Sequence, residues 1–170
     1  MSFYEGDENK FEELYLEYYP RLLVYGRIIS DNEGIIEDTI QELFVELWRK
    51  KDSLLIKSSL DSYLFVSFRN NLIRKIKKQT YSELDFDLPD EVELPSENIG
   101  EKDLKKWLKK LPPSQREVLF LRYYENLSYT EISEMLGISY QVARNFSYRA
   151  LKFLKNKMKY LKTVLMTISM

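Results

Sequence analysis

The sequence predicts an all-helical protein made of two small domains. Apolar side chains recur at spacings of three and four along most of the 170 residues, which is the period of helices with one buried face. Residues 80–100 break this pattern with seven acidic residues, two prolines and no basic residue. This composition is typical of an extended, self-repelling linker. We therefore expect one helical domain on each side of an acidic linker at 80–100.

The first domain is expected to span residues 1–79. Apolar helical faces lie on both sides of Pro20, and a proline interrupts a helix, so two helices are expected to meet there. A turn cluster at 30–34 precedes a third helix that ends near Lys51. The loop at 52–58 then leads to a fourth helix over 59–79, whose C-terminal end is basic.

The second domain is expected to span residues 101–160, with 161–170 as a C-terminal tail. A helix over 101–111 ends at two consecutive prolines. Ser114 and Glu117 have the spacing of a capping box, in which a hydroxyl and a carboxylate satisfy free N–H groups at a helix start. They predict a helix that extends to about Tyr124.

Residues 128–154 have the pattern of a helix-turn-helix. Ser128 and Glu131 have the capping-box spacing again. Gly137 can end that helix in the left-handed conformation, and Ser139 can cap the next one. One side of the second helix is small or apolar, with Ala143, Ser147, Ala150 and Leu154. Its other side is polar, with Gln141, Arg144, Asn145, Tyr148 and Lys152.

A polar helix face of this kind fits the major groove of DNA, where amide and guanidinium groups hydrogen-bond base edges. An ordinary helical hairpin with a solvated face has the same pattern. The local charge favours DNA, because residues 140–170 include seven basic residues and no acidic one, a field suited to phosphates.

Composition excludes several classes of chemistry. The chain has no cysteine and no histidine, which removes disulfides, thiol nucleophiles and imidazole bases or metal ligands. We expect no catalytic residues, no metal and no cofactor. The N-terminal residues are unlike a signal peptide, and no apolar run approaches the ~20 residues that span a bilayer. The expectation is a soluble, cytoplasmic protein with no direct membrane insertion.

Four segments, in this order, resemble the extracytoplasmic-function (ECF) sigma factors of the sigma-70-like family. They are FEELYLEYYPRLLVYG, EDTIQELFVELWRK, SYLFVSFRNNLIRKIKK and LPPSQREVLFLRYYENLSYTEISEMLGISYQVARNFSYRALKFLK. The resemblance implies a sigma factor that directs bacterial RNA polymerase to promoters. It implies that region 2, residues 1–79, binds core polymerase and opens the −10 element, and that region 4, residues 101–160, recognises the −35 element. The implied partners are core polymerase (its β′ clamp helices and β flap), promoter DNA and an anti-sigma factor.

The resemblance also implies three sets of contact residues. The −35 set is Tyr140, Gln141, Arg144, Asn145, Tyr148, Arg149 and Lys152. The −10 set is Arg69, Asn70, Asn71, Arg74, Lys75, Lys77 and Lys78, with the loop 52–58 beside it. The polymerase set is Asp38, Gln41, Glu42, Val45 and Trp48. Two adjacent asparagines are unfavourable inside a helix, so Asn70 and Asn71 are the expected base contacts, and the cations of the −10 set are expected to bind phosphates.

Other interpretations remain open at this point. The stripe of Asp38, Gln41 and Glu42 is also typical of a solvated helix face, and Trp48 fits a core or an interface. Ala143 and Ser147 are smaller than the aliphatic residues common in the family, which leaves the rotation of this helix open.

Two alternative functions also remain. A helix-turn-helix regulator that acts without polymerase would explain residues 114–154, but it gives no reason for the stripe or for the paired asparagines. An enzyme that acts on DNA would need a carboxylate cluster for a metal, and no such cluster stands out in the sequence.

Overall fold

The computed structural model describes the backbone of residues 8–51, 59–82 and 106–168, and their side chains except those of 80–82 and 159–168. The chain divides into two compact units, Met1–Glu91 and Val92–Met170. The predicted loop at 52–58 and residues 83–100 of the predicted acidic linker lie outside the described residues. Within the described ranges no helix is long and apolar enough to cross a membrane.

Among the described residues, each unit contains three helices of eight residues or more. Those of the first unit are α1 (Glu8–Ile29), α2 (Glu33–Arg49) and α3 (Leu60–Ser82). Those of the second unit are α4 (Pro113–Tyr123), α5 (Tyr129–Leu136) and α6 (Tyr140–Ile168). Residues 106–109 are also helical, ahead of α4. These helices confirm the predicted all-α class. Helix α6 extends to Ile168 and so includes most of the segment predicted as a tail.

The predicted break at Pro20 is wrong, because Pro20 lies inside one continuous helix, α1. A proline inside a helix costs about 3 kcal/mol, since it removes one backbone hydrogen bond. Both halves of α1 bury side chains on the same face, including Tyr18 before the proline and Leu22 after it. Burying one large side chain contributes about 1.5–3 kcal/mol, which offsets the penalty. Pro20 is exposed, as is Leu16, so the Leu16 carbonyl that loses its partner faces water.

The three helices of the first unit pack around a common apolar core. Its fully buried side chains are Leu22, Tyr25, Ile36, Ile40, Leu64, Phe65, Phe68 and Leu72. A polar link joins α1 to α3, where Asp61 Oδ1 accepts hydrogen bonds from the Tyr18 hydroxyl at 3.1 Å and from Arg21 Nη2 at 2.5 Å. Burial, and then the Asp61 carboxylate, raise the pKa of Tyr18 to about 12, so this phenol stays a donor at neutral pH.

The predicted capping box at Ser114 and Glu117 is also wrong. Ser114 as the cap would make Gln115 the first helical residue, but helix α4 already begins at Pro113. Its N-cap position is Pro112, which makes no side-chain cap hydrogen bond. The Pro112 carbonyl accepts hydrogen bonds from the backbone N–H groups of Gln115 and Arg116, both at 3.0 Å. Proline needs no N–H partner and its fixed φ suits a first helical turn. Ser114 is therefore already helical and cannot act as the cap.

Helix α6 packs against α4 and α5, which also contact each other. Val118, Leu121, Ile132, Ala143 and Ala150 are fully buried where these helices meet. Leu111, Ala150 and Leu154 form a cluster that Trp107, Leu108, Leu119 and Phe153 cover. The second unit therefore has its own core, and α6 packs against this core with one side.

Gly26 lies where α1 packs tightly against side chains of α2 and α3, and it generates a stability prediction. A Cβ at Gly26 would overlap the Ile36 side chain and lie 3.2 Å from Phe68 Cζ. Overpacking of this kind costs about 1–3 kcal/mol, against a helix-propensity gain of about 1 kcal/mol for Gly→Ala. We expect Gly26→Ala to lower the free energy of unfolding, measured by denaturant titration with circular dichroism.

Gly34→Ala is the matched control. Gly34 is also helical, and the nearest atom to its added Cβ is Asn32 Oδ1 at 3.5 Å, which is ordinary contact. We expect no loss of stability at Gly34. Equal losses for the two variants, or no loss for Gly26→Ala, would contradict the packing inferred around Gly26.

Candidate functional site

The turn between α5 and α6 has the predicted helix-turn-helix geometry. The Ser128 hydroxyl accepts from the Glu131 N–H at 3.2 Å and Glu131 Oε2 accepts from the Ser128 N–H at 2.8 Å, so the capping box is confirmed. Gly137 ends α5 with φ of 64°, in the left-handed region that glycine favours. The Val142 N–H donates to Ser139 Oγ at 3.2 Å, which confirms Ser139 as the cap of α6.

The rotation of α6 about its axis places the polar face outward. Ala143, Ser147, Ala150 and Leu154 are buried. Gln141, Arg144, Asn145, Tyr148, Arg149 and Lys152 are exposed, together with Tyr140. Ser147 takes a specific part in this rotation, since its Oγ accepts a hydrogen bond of 3.0 Å from the Tyr129 hydroxyl of α5. The burial of these small side chains therefore fixes the rotation of α6, which the sequence alone had left open.

The exposed face of α6 combines aromatic rings with cations and amides. The Arg144 guanidinium lies 5.9 Å from the centroid of the Tyr140 ring, and Lys152 Nζ lies 6.0 Å from that of Tyr148. Gln141 Nε2 donates to Asn145 Oδ1 at 3.2 Å across one helical turn. Cations of this kind bind phosphates, and amides can hydrogen-bond base edges.

The −10 set lies on the C-terminal half of α3, and its members differ in exposure. Asn70, Arg74, Lys77 and Lys78 are exposed, whereas Arg69, Asn71 and Lys75 are half-buried. Arg74 Nη2 donates to Asn71 Oδ1 at 3.1 Å. Asn70, Arg74 and Lys77 follow spacings of four and three, so they share one helix face. Asn70 is the more accessible of the two adjacent amides.

The polymerase set lies along α2. Asp38, Gln41, Glu42 and Val45 are exposed and line an open depression of about 770 Å³. Trp48 is half-buried, with its ring centroid 4.8 Å from that of Phe11 and with Lys51 Nζ 3.7 Å from its own centroid. Trp48 therefore belongs partly to the core and partly to the surface beside this stripe.

An ion pair joins two sets that the sequence had kept separate. Lys75 Nζ of the −10 set lies 2.9 Å from Glu42 Oε1 of the polymerase set. The Glu42 side chain is 62% exposed, so water screens this pair and its contribution to stability is about 0–1 kcal/mol. The pair is weak enough for a phosphate or a partner protein to displace it.

Several residues around the stripe were not predicted from the sequence. Glu46, Arg49 and Lys50 line the same depression, and the Lys50 Nζ–Glu46 Oε1 distance is 2.5 Å. Spacings of four were the signal for them, since Glu46 follows Glu42, Arg49 follows Val45 and Lys50 follows Glu46 at that interval. A second, mainly apolar groove of about 530 Å³ lies between α1 and α2, where Phe11, Tyr15, Phe44 and Trp48 line it. Residues of α1 and α2 contribute to this groove jointly, so a pattern within one helix could not predict it.

No cluster of three or more acidic side chains in the described parts of the chain is placed to hold a metal ion. The described site consists of helix faces that offer amides, cations and aromatic rings. Such faces are suited to binding nucleic acid and protein.

Two family models match the chain. The model of sigma-70 region 2 matches residues 14–81, and that of sigma-70, region 4 matches residues 102–154. Together the two ranges cover more than two thirds of the 170 residues. The first range includes the polymerase and −10 sets, and the second includes the helix-turn-helix.

Several curated proteins are similar to this chain over most of its length. The RNA polymerase sigma factor SigZ of Bacillus subtilis strain 168 is 28% identical over 141 residues, which is 79% of this chain and 78% of SigZ. The RNA polymerase sigma factor YlaC of the same strain is 27% identical over 162 residues, 88% of this chain and 92% of YlaC. The ECF RNA polymerase sigma factor SigX of that strain is 25% identical, and the match covers 94% of this chain and 89% of SigX.

Two solved structures share the fold. The complex of the sigma factor RpoE with the anti-sigma factor NepR from Bartonella quintana gives a TM-score of 0.71 at 24% identity, covering 88% of this chain and 97% of the other. The complex of CnrH with the cytosolic domain of CnrY gives a TM-score of 0.61 at 20% identity, covering 91% of both chains. At these identities the likeness concerns the fold alone.

The Tyr129–Ser147 hydrogen bond generates the second prediction. Removing its acceptor with Ser147→Ala is expected to lower the free energy of unfolding by about 1 kcal/mol. Tyr129→Phe should lose at least as much, because its hydroxyl also interacts with Tyr123 and Arg122. The double variant should lose little more than Tyr129→Phe alone, because Tyr129 and Ser147 share one bond. Denaturant titration of all three variants measures the coupling.

Ser133→Ala is the control for that cycle, because Ser133 Oγ donates only to the Thr130 carbonyl of its own helix at 2.7 Å. Its unfolding free energy should change by less than about 0.5 kcal/mol. Strictly additive losses at Tyr129 and Ser147 would contradict a direct bond between α5 and α6.

Proposed function

The chain belongs to the sigma-70 family of RNA polymerase sigma factors, in its extracytoplasmic-function (ECF) group, and we propose how its two units divide the work of promoter recognition. As a sigma factor, it directs RNA polymerase to promoters for transcription initiation. The first unit, in this proposal, binds core polymerase and opens the −10 element. The second unit binds the −35 element through α6.

The observation that carries this proposal is the two-sided character of α6. The side that carries the small residues is buried. The other side exposes Gln141, Arg144 and Asn145 to solvent near the capped N-terminus of the helix. The N-terminal turns of the second helix are the part of a helix-turn-helix that contacts base edges in the major groove. Arg149 and Lys152 lie further along the helix and are proposed to bind phosphates, as positioning contacts without sequence preference.

Helix α3 is proposed to hold the opened −10 element. Asn70 is exposed, and two exposed cations, Arg74 and Lys77, follow it on the same helix face. A base that has left its stack needs hydrogen bonds to its exposed edge, and an amide can supply both a donor and an acceptor. Arg69, Lys75 and Lys78 are proposed to bind the backbone phosphates around it.

The exposed stripe of α2 is proposed to dock on core polymerase. Val45 is 60% exposed, which is unusual beside the buried Leu43, Phe44 and Leu47 of the same helix. An apolar centre ringed by Asp38, Gln41 and Glu42 has the organisation of a protein interface, with an apolar core and a polar rim. The β′ clamp helices are the proposed partner of this stripe, and the β flap is the proposed partner of the second unit.

Three further statements belong to the proposal. The chain acts as a binding subunit and catalyses no reaction itself, with no metal or cofactor of its own. It works where the polymerase and the chromosome are, in the cytoplasm. An anti-sigma factor is proposed to hold it when it is not needed, as in the fold relatives solved with anti-sigma factors.

A regulator that binds DNA without polymerase is not favoured. The match to sigma-70 region 2 covers residues 14–81, and such a regulator has no use for that region. The two functions differ experimentally in whether core polymerase changes DNA binding by the chain.

The α2 stripe generates a prediction about polymerase binding. Asp38→Lys and Val45→Glu are each expected to weaken binding to core polymerase about tenfold or more, because the first reverses a charge in the polar rim and the second puts a charge at the apolar centre of the interface. Titration of the fluorescently labelled chain with core enzyme measures the affinity. Glu13→Lys is the matched control, since Glu13 is exposed on α1 away from the stripe. Unchanged affinity in the Asp38 and Val45 variants would remove α2 from the interface.

Helix α3 generates a prediction that separates base contact from phosphate contact. Asn70→Ala in the holoenzyme should reduce DNA opening at −10 and have little effect on closed-complex affinity. The fluorescence of a base analogue placed in the −10 element measures the opening. Lys77→Ala should instead weaken closed-complex binding and reduce the slope of log affinity against log salt by about one. The opposite assignment of these two effects, or the same effect from both variants, would contradict the proposed roles.

A further inference from the structure

Gln141 and Asn145 form a paired amide, which we call the amide dyad. Both side chains are exposed on the polar side of α6, one helical turn apart, and Gln141 Nε2 donates to Asn145 Oδ1 at 3.2 Å. The dyad lies in the first two turns after the Ser139 cap. The internal bond holds both side chains in one geometry before any DNA is bound, so less rotamer entropy remains to be lost on binding.

The internal bond determines what the dyad can offer to a base. A carboxamide has one oxygen acceptor and one amino donor group. The bond uses one hydrogen of the Gln141 amino group and one lone pair of the Asn145 oxygen. The two groups that it leaves wholly unused are Gln141 Oε1, an acceptor, and Asn145 Nδ2, a donor. Rotating both amides by 180° reverses the direction of the bond and still leaves one oxygen and one amino group. The dyad therefore presents one wholly unused acceptor and one wholly unused donor in either arrangement.

Adenine has the complementary pair of groups in the major groove. It presents the N6 amino donor next to the N7 acceptor, whereas guanine presents two acceptors, cytosine a donor, and thymine an acceptor and a methyl group. We propose that the amide dyad recognises one adenine of the −35 element as a single unit, with Oε1 of Gln141 on N6 and Nδ2 of Asn145 on N7. This inference rests on the proposed function, in which α6 binds the −35 element.

The dyad differs in a testable way from two independent contacts. Two separate amides one turn apart would each contact a different base pair, so alanine at each position would relax a different position of the promoter. If the two amides act as one unit, alanine at either residue relaxes the base preference at the same promoter position. Since loss of either amide removes the paired geometry, the double variant should discriminate no worse than the single variants.

The experiment selects active promoters from a library with a randomised −35 element, using holoenzyme reconstituted from core polymerase and the full chain. Wild-type holoenzyme should prefer adenine at one position by about tenfold over each other base. Gln141→Ala and Asn145→Ala should each reduce that preference to less than about twofold, at that same position. Lys152→Ala is the control, because a phosphate contact should weaken all promoters alike.

The outcomes separate the dyad from the function on which it rests. Relaxation at two different positions, or no change in base preference while the wild type still selects a −35 element, would overturn the dyad and leave the sigma assignment of α6 standing. A wild-type holoenzyme that selects no −35 sequence would overturn the proposed role of α6, and the adenine assignment with it. Circular dichroism of each variant verifies that α6 is intact.

Discussion

The burial of a small-residue stripe on α6 is the constraint on which the proposed −35 site depends. Successive residues of a helix differ by about 100° in direction, so a shift of one residue would turn Gln141 and Asn145 away from solvent. Ala143 and Ala150 permit a close approach of α6 to its neighbours, and the Tyr129 hydroxyl allows Ser147 to be buried without losing its hydrogen bond. The polar face is therefore oriented by what the opposite face buries.

The first unit uses the same principle on two helices. Apolar stripes of α2 and α3 meet α1 in a common core, which leaves the stripe of Asp38, Gln41 and Val45 and the cationic end of α3 outside. The ion pair of Glu42 and Lys75 joins these two surfaces and contributes little to the stability of the fold. In the proposed function, docking of a protein on α2 and binding of DNA phosphates on α3 act on neighbouring charges, which is a physical route for one binding event to influence the other.

Local signals were predictable from the sequence, and interactions between helices were not. The Ser128 capping box, the Gly137 turn and the outward face of α6 depend on residues within one or two turns, and all were predicted. Pro20 was misjudged because burial on both sides of it outweighs a local penalty, and Ser114 because Pro113 already sets the helix start. The Tyr129–Ser147 and Glu42–Lys75 contacts join separate helices, so no spacing along the chain indicates them. The Gln141–Asn145 bond has an i, i+4 spacing and could have been found from sequence.

Electron cryomicroscopy of the chain bound to core polymerase on promoter DNA tests the central claim most directly. We expect the face of α6 that carries Gln141 and Asn145 to lie in the major groove at −35, while the exposed stripe of α2 contacts the polymerase in the same complex. A complex in which that face of α6 contacts protein, with the DNA held elsewhere, would contradict the division of work between the two units.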